Sequence, residues 1–231
     1  MTTDPGPAGQ VLLVDKPSGP TSHDIVARVR REREIKRVGH AGTLDPFATG
    51  LLIVLIGRTA TREQGRFMAL DKAYEVTARF GATSTTGDRD GAITETGVVP
   101  DTDPELPTGQ LRQRPPVYSA VKIGGQRAYK RARRGEEFEM PERIVTVHSF
   151  EEVTRTASTR AYRIVCSSGT YVRSLVAGLG DAYCEELRRT AIGPFGVHEA
   201  VRPTGERGPV GGQPIPIADA LARLEAPGLA K

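Results

Sequence analysis

Cysteine is scarce in this sequence, and long hydrophobic runs are absent. The two cysteines, Cys166 and Cys184, belong to no CxxC or Cys/His cluster, so neither a structural zinc site nor a disulfide framework is predicted. Two free, buried thiols are expected instead.

No stretch approaches the ~18 apolar residues of a membrane span. The polar start, residues 1–10, is rich in proline and glycine and predicts a flexible terminus rather than a signal peptide. The cytoplasm is therefore the expected location.

Sequence motifs for common cofactors are also missing. The chain has no Walker loop, no GxGxxG element and no HExxH motif. Those motifs bind nucleotide phosphates, dinucleotides and zinc, respectively. We therefore expect a protein that works with no cofactor and no metal.

Length and composition indicate an ordinary globular protein. The 231 residues are 38% hydrophobic and 26% charged, enough for a sizeable core in one large domain or two small ones. Apolar runs at residues 11–14 and 51–56 predict strands, and alternation over residues 73–80 predicts a half-buried strand with Tyr74 on its inner face. Strands and helices follow one another without a regular βαβ repeat. The predicted fold class is therefore α+β, with a mainly antiparallel sheet.

Basic residues crowd two segments, although the net charge is only +4. The first segment lies on a helix that apolar spacing predicts after Thr21 or Ser22, either of which can cap it. Such clusters suit a phosphate backbone, and the alternative interpretation is a solvated helix face. The basic residues are Arg28, Arg30, Arg31, Arg33, Lys36 and Arg37 in the first segment, and Lys122, Arg127, Lys130, Arg131, Arg133 and Arg134 in the second.

Two further segments complete the prediction of local structure. The proline-rich residues 100–116 are expected to form a surface loop. Apolar spacing over residues 171–179 predicts a helix that Thr170 or Ser168 can cap. Arg173 is expected to point away from the apolar stripe of that helix.

An aspartate in a glycine-rich loop carries the strongest functional signal. Taken alone, Asp45 is most often a turn or capping residue in such a loop. The surrounding stretch at residues 39–52, GHAGTLDPFATGLL, closely resembles the active-site loop of the TruB family of tRNA pseudouridine synthases. In that family the aspartate of the G-x-L-D-P core is the essential residue.

The resemblance extends in order over nearly the whole chain. It includes six further blocks: LLVDKP at residues 12–17, KAYEV at 72–76, DRDG at 88–91, PPVYSAVK at 115–122, CSSGTYVRS at 166–174 and LRRT at 187–190. The family match therefore does not rest on the loop alone.

The chemistry of the family explains these residue types. Pseudouridine forms when the C1′–N1 bond of uridine breaks, the uracil rotates, and C5 bonds to C1′, without a redox group or a metal. An ionised Asp45 can attack C1′ or remove the 2′ proton. The resemblance assigns Arg173 as the charge partner of this carboxylate. It implies that Tyr74 stacks on the target base and assists loss of the C5 proton. A core tyrosine is the alternative for Tyr74.

The resemblance implies additional residues that contact the substrate. Tyr171 and Leu187 are expected to line the pocket, although their spacing equally suits plain packing. His40 is expected to enter the T loop near the flipped nucleotides. The residues predicted to contact phosphate are Lys16, Lys122, Arg127 and Arg133.

The family also implies a domain organisation. Residues 11–200 are predicted to form a pseudouridine synthase catalytic domain, a central sheet flanked by helices and RNA-binding loops, with a short C-terminal extension at residues 201–231. Bacterial members usually carry a C-terminal RNA-binding domain, often PUA-like. The 31 residues of this extension are fewer than the ~40 needed for unaided folding. We therefore expect no full PUA domain, and an RNA affinity that rests more on the catalytic domain.

The functional hypothesis is a monomeric isomerase that forms pseudouridine at position 55 of the tRNA T loop by base flipping. One alternative is a tRNA-folding chaperone with little turnover, and another is a synthase subunit positioned by guide RNA. A third is a nucleoside or glycoside hydrolase that uses Asp45 with Asp88 or Asp90. The GDRDG context of those two aspartates is more typical of a turn.

Overall fold

A computed structural model describes residues 9–119, 121–132, 134–205 and 208–225. In chain order the strands are β1 (Gln10–Lys16), β2 (Val38–Ala41), β3 (Thr49–Ile56), β4 (Lys72–Phe80), β5 (Ala82–Ser84), β6 (Ile93–Glu95), β7 (Gly109–Gln113), β8 (Lys122–Ile123), β9 (Gln126–Arg127), β10 (Arg143–Arg155), β11 (Thr159–Cys166), β12 (Ala182–Ile192), β13 (Phe195–Gly196) and β14 (Ile215–Pro216). The helices are α1 (Ser22–Glu32), α2 (Gly57–Arg62), α3 (Gln64–Ala69), α4 (Ala128–Ala132), α5 (Val172–Ala177) and α6 (Ile217–Arg223), with a 3₁₀ helix at Val197–Glu199. This mixture of elements confirms the predicted α+β class.

The chain divides into two compact units. The first unit consists of residues 1–74 and 188–231, and the second of residues 75–187. The chain crosses from one unit to the other within β4 and again within β12. In the first unit β14 pairs antiparallel with β1, and Ala220 of α6 is buried. The described residues after position 200 are therefore packed parts of the first unit.

The core of the first unit lies on both faces of β1 and β3. The two strands are antiparallel, with Val11 opposite Leu55. On one face the core includes Phe67 of α3 and Phe195 of β13, whose ring centroids are 6.0 Å apart. On the other face it includes Ile25 of α1. A strand buried on both faces has no polar side, which explains the uninterrupted apolar run of β3.

Helix α1 begins as the sequence predicts, with Thr21 as its cap. The Thr21 hydroxyl accepts a hydrogen bond from the Asp24 main-chain N–H at 3.1 Å, and the Asp24 carboxylate accepts one from the Thr21 N–H at 2.8 Å. This reciprocal pair is a capping box. Ser22, the other candidate cap, is the first helical residue and faces inward.

The second unit is built around the long strand β10. This strand pairs antiparallel with β11 on one side and with β7 on the other. Phe150 of β10 and Tyr162 of β11 meet edge to face, with ring centroids 5.2 Å apart. Two short antiparallel pairs, β5–β6 and β8–β9, also belong to this unit.

The structure corrects two predictions of local structure. The segment at residues 100–116, expected to be a surface loop, contains strand β7. Its backbone hydrogen bonds come from pairing with β10, which the local proline-rich sequence does not indicate. Neither Thr170 nor Ser168 caps α5. Its cap position is Tyr171, which makes no side-chain capping bond, and the Thr170 hydroxyl donates to the Ser167 carbonyl instead.

Replacing Gly50 with alanine is expected to destabilise the protein more than the same change at Gly19. Both glycines have a φ of +102°, so both substitutions impose a backbone strain of about 1–2 kcal/mol. A Cβ at position 50 would also lie 2.2 Å from the main-chain oxygen of Arg189, whereas one at position 19 would meet nothing within 4 Å. Urea unfolding should show a further loss of about 1–3 kcal/mol for Gly50→Ala. Equal losses would contradict this close approach.

Candidate active site

Asp45 lies on the connection between β2 and β3. The carboxylate residue is half-buried, and its neighbours Leu44, Phe47 and Ala48 are buried. The Ala48 N–H donates to the Asp45 carbonyl at 3.2 Å, which closes a tight turn. The buried apolar neighbours anchor the turn in the core, whereas Asp45 itself stays partly exposed. We call residues 42–48 the Asp45 loop.

Ser22 fixes the Asp45 loop from helix α1. Its hydroxyl donates to the Leu44 carbonyl at 3.1 Å and accepts from the Leu44 N–H at 2.9 Å. Both bonds are buried, where an unmade bond would cost about 1–3 kcal/mol. The residue next to Asp45 is therefore held at both of its backbone polar groups.

Lys16 fixes the loop from the end of β1. Its ammonium is buried and donates to the carbonyls of Pro17, Pro20 and Pro46 at 2.8, 2.9 and 3.2 Å. Burial lowers the pKa of Lys16 to about 8, and the charge of Asp45 opposes that change. A lysine with no exposed surface does not reach a phosphate. The prediction of Lys16 as a phosphate contact is therefore wrong.

Two arginines of β12 bind this part of the first unit. Arg188 forms a bidentate pair with Asp15, with both N–O distances at 2.9 Å. Arg189 is buried, and its guanidinium donates to the carbonyls of Leu51, Gly42 and Thr43. Both arginines belong to the LRRT block, whose family resemblance implies a role only for Leu187.

Tyr74 and His40 also belong to the first unit. Tyr74 is 8% exposed on β4, in agreement with an inward-facing position. The His40 ring is half-buried and meets His23 edge-on, with centroids 5.1 Å apart and an interplanar angle of 84°. The side-chain amide of Gln64 donates to the His40 carbonyl at 2.7 Å. Helices α1 and α3 thus contact the strand that precedes the Asp45 loop.

Arg173 is the centre of a buried polar cluster in the second unit. Its guanidinium lies 3.1 Å from the Asp88 carboxylate and donates to the carbonyls of Thr86 at 2.7 Å and Tyr118 at 3.1 Å. Asp88 also accepts from the Thr86 hydroxyl and the Asp90 N–H. The GDRDG segment is therefore a turn, as its sequence favours, and its first aspartate additionally binds Arg173.

The remaining residues predicted to contact the substrate belong to the second unit. Both backbone polar groups of Tyr171 bond to the Gln113 amide, at 2.8 and 3.0 Å. Leu187 is buried on β12. Lys122 and Arg127 are paired Cα partners of the hairpin, and their side chains fall outside the described part of the structure. Arg133 lies outside the described residues.

Several arginines of the first basic segment bind protein backbone. Arg28 donates to the Gly205 carbonyl at 3.2 Å, Arg30 to that of Val38 at 3.0 Å, and Arg33 to those of Gly211 and Gly212. These guanidinium groups hold α1 to the rest of its unit. In this segment only Arg31, Lys36 and Arg37 remain candidates for phosphate contact, and all three are exposed.

The described residues contain no group of three His, Cys, Asp or Glu side chains arranged to hold a metal ion. Over the same residues, no helix is both long and apolar enough to cross a membrane.

Comparison with known proteins decides the family. Residues 30–172 match the family described as "TruB family pseudouridylate synthase (N terminal domain)". The match contains the Asp45 loop, Tyr74 and the Asp88 turn. The chain belongs to the TruB family.

Relatives and solved structures agree with this assignment. A "tRNA pseudouridine synthase B" of Thermobifida fusca is 45% identical over 216 residues, covering 84% of this chain and 72% of the relative. A protein of the same name from Opitutus terrae is 45% identical over 204 residues, covering 83% and 84%. Among solved structures, the "Cbf5-Nop10-Gar1 Complex" gives a TM-score of 0.63 at 29% identity, covering 84% of this chain. The chain spans about half, 52%, of that solved chain.

The low pKa of Lys16 predicts how stability depends on pH. Between pH 8 and 10.5 the folded protein loses the Lys16 proton while the unfolded chain keeps it. The free energy of unfolding of the wild type should therefore rise in this range relative to that of Lys16→Met, by at most about 1.4 kcal/mol per pH unit. Urea titrations of both proteins from pH 7 to 10 measure this difference. Parallel curves would contradict a buried, charged Lys16.

The Arg173 cluster predicts different effects for the two aspartates of one turn. Asp88→Asn removes a buried charge that faces Arg173, and the free energy of unfolding should fall by about 3 kcal/mol. Asp90 is exposed, so Asp90→Asn should change it by less than about 0.5 kcal/mol. Urea unfolding of both variants provides the comparison. Similar effects from the two changes would argue against the Asp88–Arg173 pair as a structural anchor.

Proposed function

We propose that this chain converts uridine to pseudouridine at position 55 in the T loop of tRNA, without a guide RNA. The observation that carries the proposal is the Asp45 loop of a TruB-family chain, whose backbone is held by buried side chains from three elements. The tRNA substrate is supported by relatives that carry the name tRNA pseudouridine synthase B at up to 45% identity.

The reaction is an isomerisation with no net change in atoms or oxidation state. The C1′–N1 bond breaks, the uracil turns, the C5–C1′ bond forms, and the proton on C5 moves to solvent as N1 gains one. Asp45 is the proposed catalytic carboxylate, acting either on C1′ or on the 2′ proton. Both routes require an ionised carboxylate at a fixed position. The nearby Lys16 ammonium favours that ionised form.

Fixed geometry supports this role. Positioning a reacting group within about 3–3.5 Å of its target contributes several kcal/mol to catalysis, provided that the group does not have to be ordered during the reaction. The carbonyls of Gly42, Leu44 and Pro46 are each held by a buried donor. Asp45 therefore sits in a backbone that is already ordered before RNA binds.

Tyr74 and Arg173 are the other proposed catalytic residues. A phenol can stack on a flipped uracil and assist the late loss of the C5 proton. Arg173 is proposed as the charge partner of the catalytic carboxylate, because the family resemblance assigns it that role. Tyr171 and Leu187 are proposed to line the base pocket. Contacts to the T loop and its phosphates are proposed for His40, Lys122, Arg127 and Arg133.

Asp45→Asn is expected to abolish turnover and to leave tRNA binding intact. The amide keeps the size of the side chain and removes its charge, so the rate of the chemical step should fall while tRNA affinity is unchanged. The assay is tritium release from an unmodified tRNA transcript labelled at uridine C5, with protein alone, and filter binding measures affinity. We expect at least a ~10³-fold lower rate and a dissociation constant within threefold of wild type. Turnover in the variant would overturn the role of Asp45.

The same assay separates the proposed function from its alternatives. A transcript with cytidine in place of uridine 55 should release no tritium above background if position 55 is the target. Free uracil in the supernatant would instead indicate hydrolysis. Binding without release by the wild type would indicate a chaperone or a need for guide RNA.

A further inference from the structure

Arg189 is enclosed by the two ends of the Asp45 loop. It is 2% exposed. Its Nε donates to the Leu51 carbonyl at 2.8 Å, its Nη2 to the Gly42 carbonyl at 3.0 Å, and its Nη1 to the Thr43 carbonyl at 3.5 Å. One guanidinium therefore joins the residues that enter the loop to the strand that leaves it.

The main chain of Arg189 holds the loop as well. Strand β12 runs parallel to β3 here, with Arg188 opposite Thr49 and Arg189 opposite Gly50. The approach is so close that a Cβ at Gly50 would lie 2.2 Å from the Arg189 oxygen. The backbone of Arg189 thus fixes the end of the loop while its side chain fixes the start. Asp45 lies between these two attachments.

The positive charge of Arg189 also acts on Lys16, the other cation that binds the Asp45 loop. It lowers the pKa of the buried Lys16, whereas Asp45 raises it. Two buried cations and one half-buried carboxylate therefore share this region. Carbonyl dipoles stabilise the cations, and the cations favour an ionised carboxylate. Arg188 does not duplicate this arrangement, since its guanidinium is bound to Asp15.

We infer that Arg189 is a positioning residue for catalysis, which holds Asp45 in its reactive orientation by joining Gly42 and Thr43 to Leu51. This inference rests on the proposed function. Arg189 is buried and its guanidinium binds backbone carbonyls, so its effect is expected to pass through the loop backbone.

The geometry requires a guanidinium rather than a positive charge alone. Arginine presents donors on three nitrogens in one plane, which serve carbonyls in different directions, whereas lysine offers a single nitrogen on a flexible stem. Lysine at position 189 keeps the charge and loses most of the bonds. Methionine keeps much of the apolar bulk and loses both.

The test compares Arg189→Lys and Arg189→Met with Arg28→Met. Arg28 is a matched control, because it is a buried arginine of the same unit that binds the distant Gly205 carbonyl. Single-turnover rates at saturating tRNA, tRNA dissociation constants and urea unfolding are measured for each. We expect a ~10²-fold slower rate for Arg189→Lys, a dissociation constant within threefold of wild type, and a rate for Arg28→Met within threefold of wild type.

Hydrogen exchange of the Asp45 loop provides a readout that does not depend on activity. Arg189→Lys should speed exchange of the residue 43–48 amides at least tenfold, and Arg28→Met should not. If Arg189→Met does not fold, Arg189→Lys alone decides both comparisons. Equal rates for Arg189→Lys and Arg28→Met, or unchanged loop exchange, would overturn the inference. A wild-type protein without turnover would defeat the proposed function, while loop exchange would still show whether Arg189 holds the loop.

Discussion

The burial of two cations against backbone carbonyls is the interaction on which the site depends. Lys16 and Arg189 together donate to six carbonyls, three of them within the Asp45 loop. A buried charge without such partners would be strongly unfavourable, so the loop backbone and the cations are stable only together. This mutual requirement explains how a segment without helix or strand hydrogen bonds keeps one conformation.

The first unit provides the frame for those cations. Strands β1 and β3 are buried on both faces, so their ends have little freedom, and Lys16 and Gly50 lie opposite each other where the pair ends. The capping box at Thr21 fixes the start of α1 and hence the Ser22 hydroxyl. Core packing and helix capping thus lead directly to the position of Asp45.

Local patterns predict the elements of this frame, and family resemblance predicts its chemistry. The Thr21 cap and strand β3 are predicted from the residues next to them in the sequence. The catalytic role of Asp45 is predicted from sequence blocks that occur in the same order as in the TruB family. The bonds that build the site are not predicted, because their partners are far apart in the chain: 147 residues separate Arg189 from Gly42, and 85 separate Arg173 from Asp88. The prediction that Lys16 contacts a phosphate is wrong because a charged side chain is expected to be exposed unless its buried partners are known, and the partners of Lys16 include the distant Pro46 carbonyl. Strand β7 was missed for a similar reason, since its pairing with β10 is also distant in sequence.

The most direct test is a crystal structure of the Asp45→Asn variant bound to a T-arm RNA hairpin. The account predicts a flipped uridine 55 with its C1′ about 3–3.5 Å from the side chain at position 45. It also predicts an unchanged backbone at residues 42–48 relative to the free protein. A different uridine in the site, or a loop that rearranges when RNA binds, would contradict a carboxylate fixed in advance by Lys16 and Arg189.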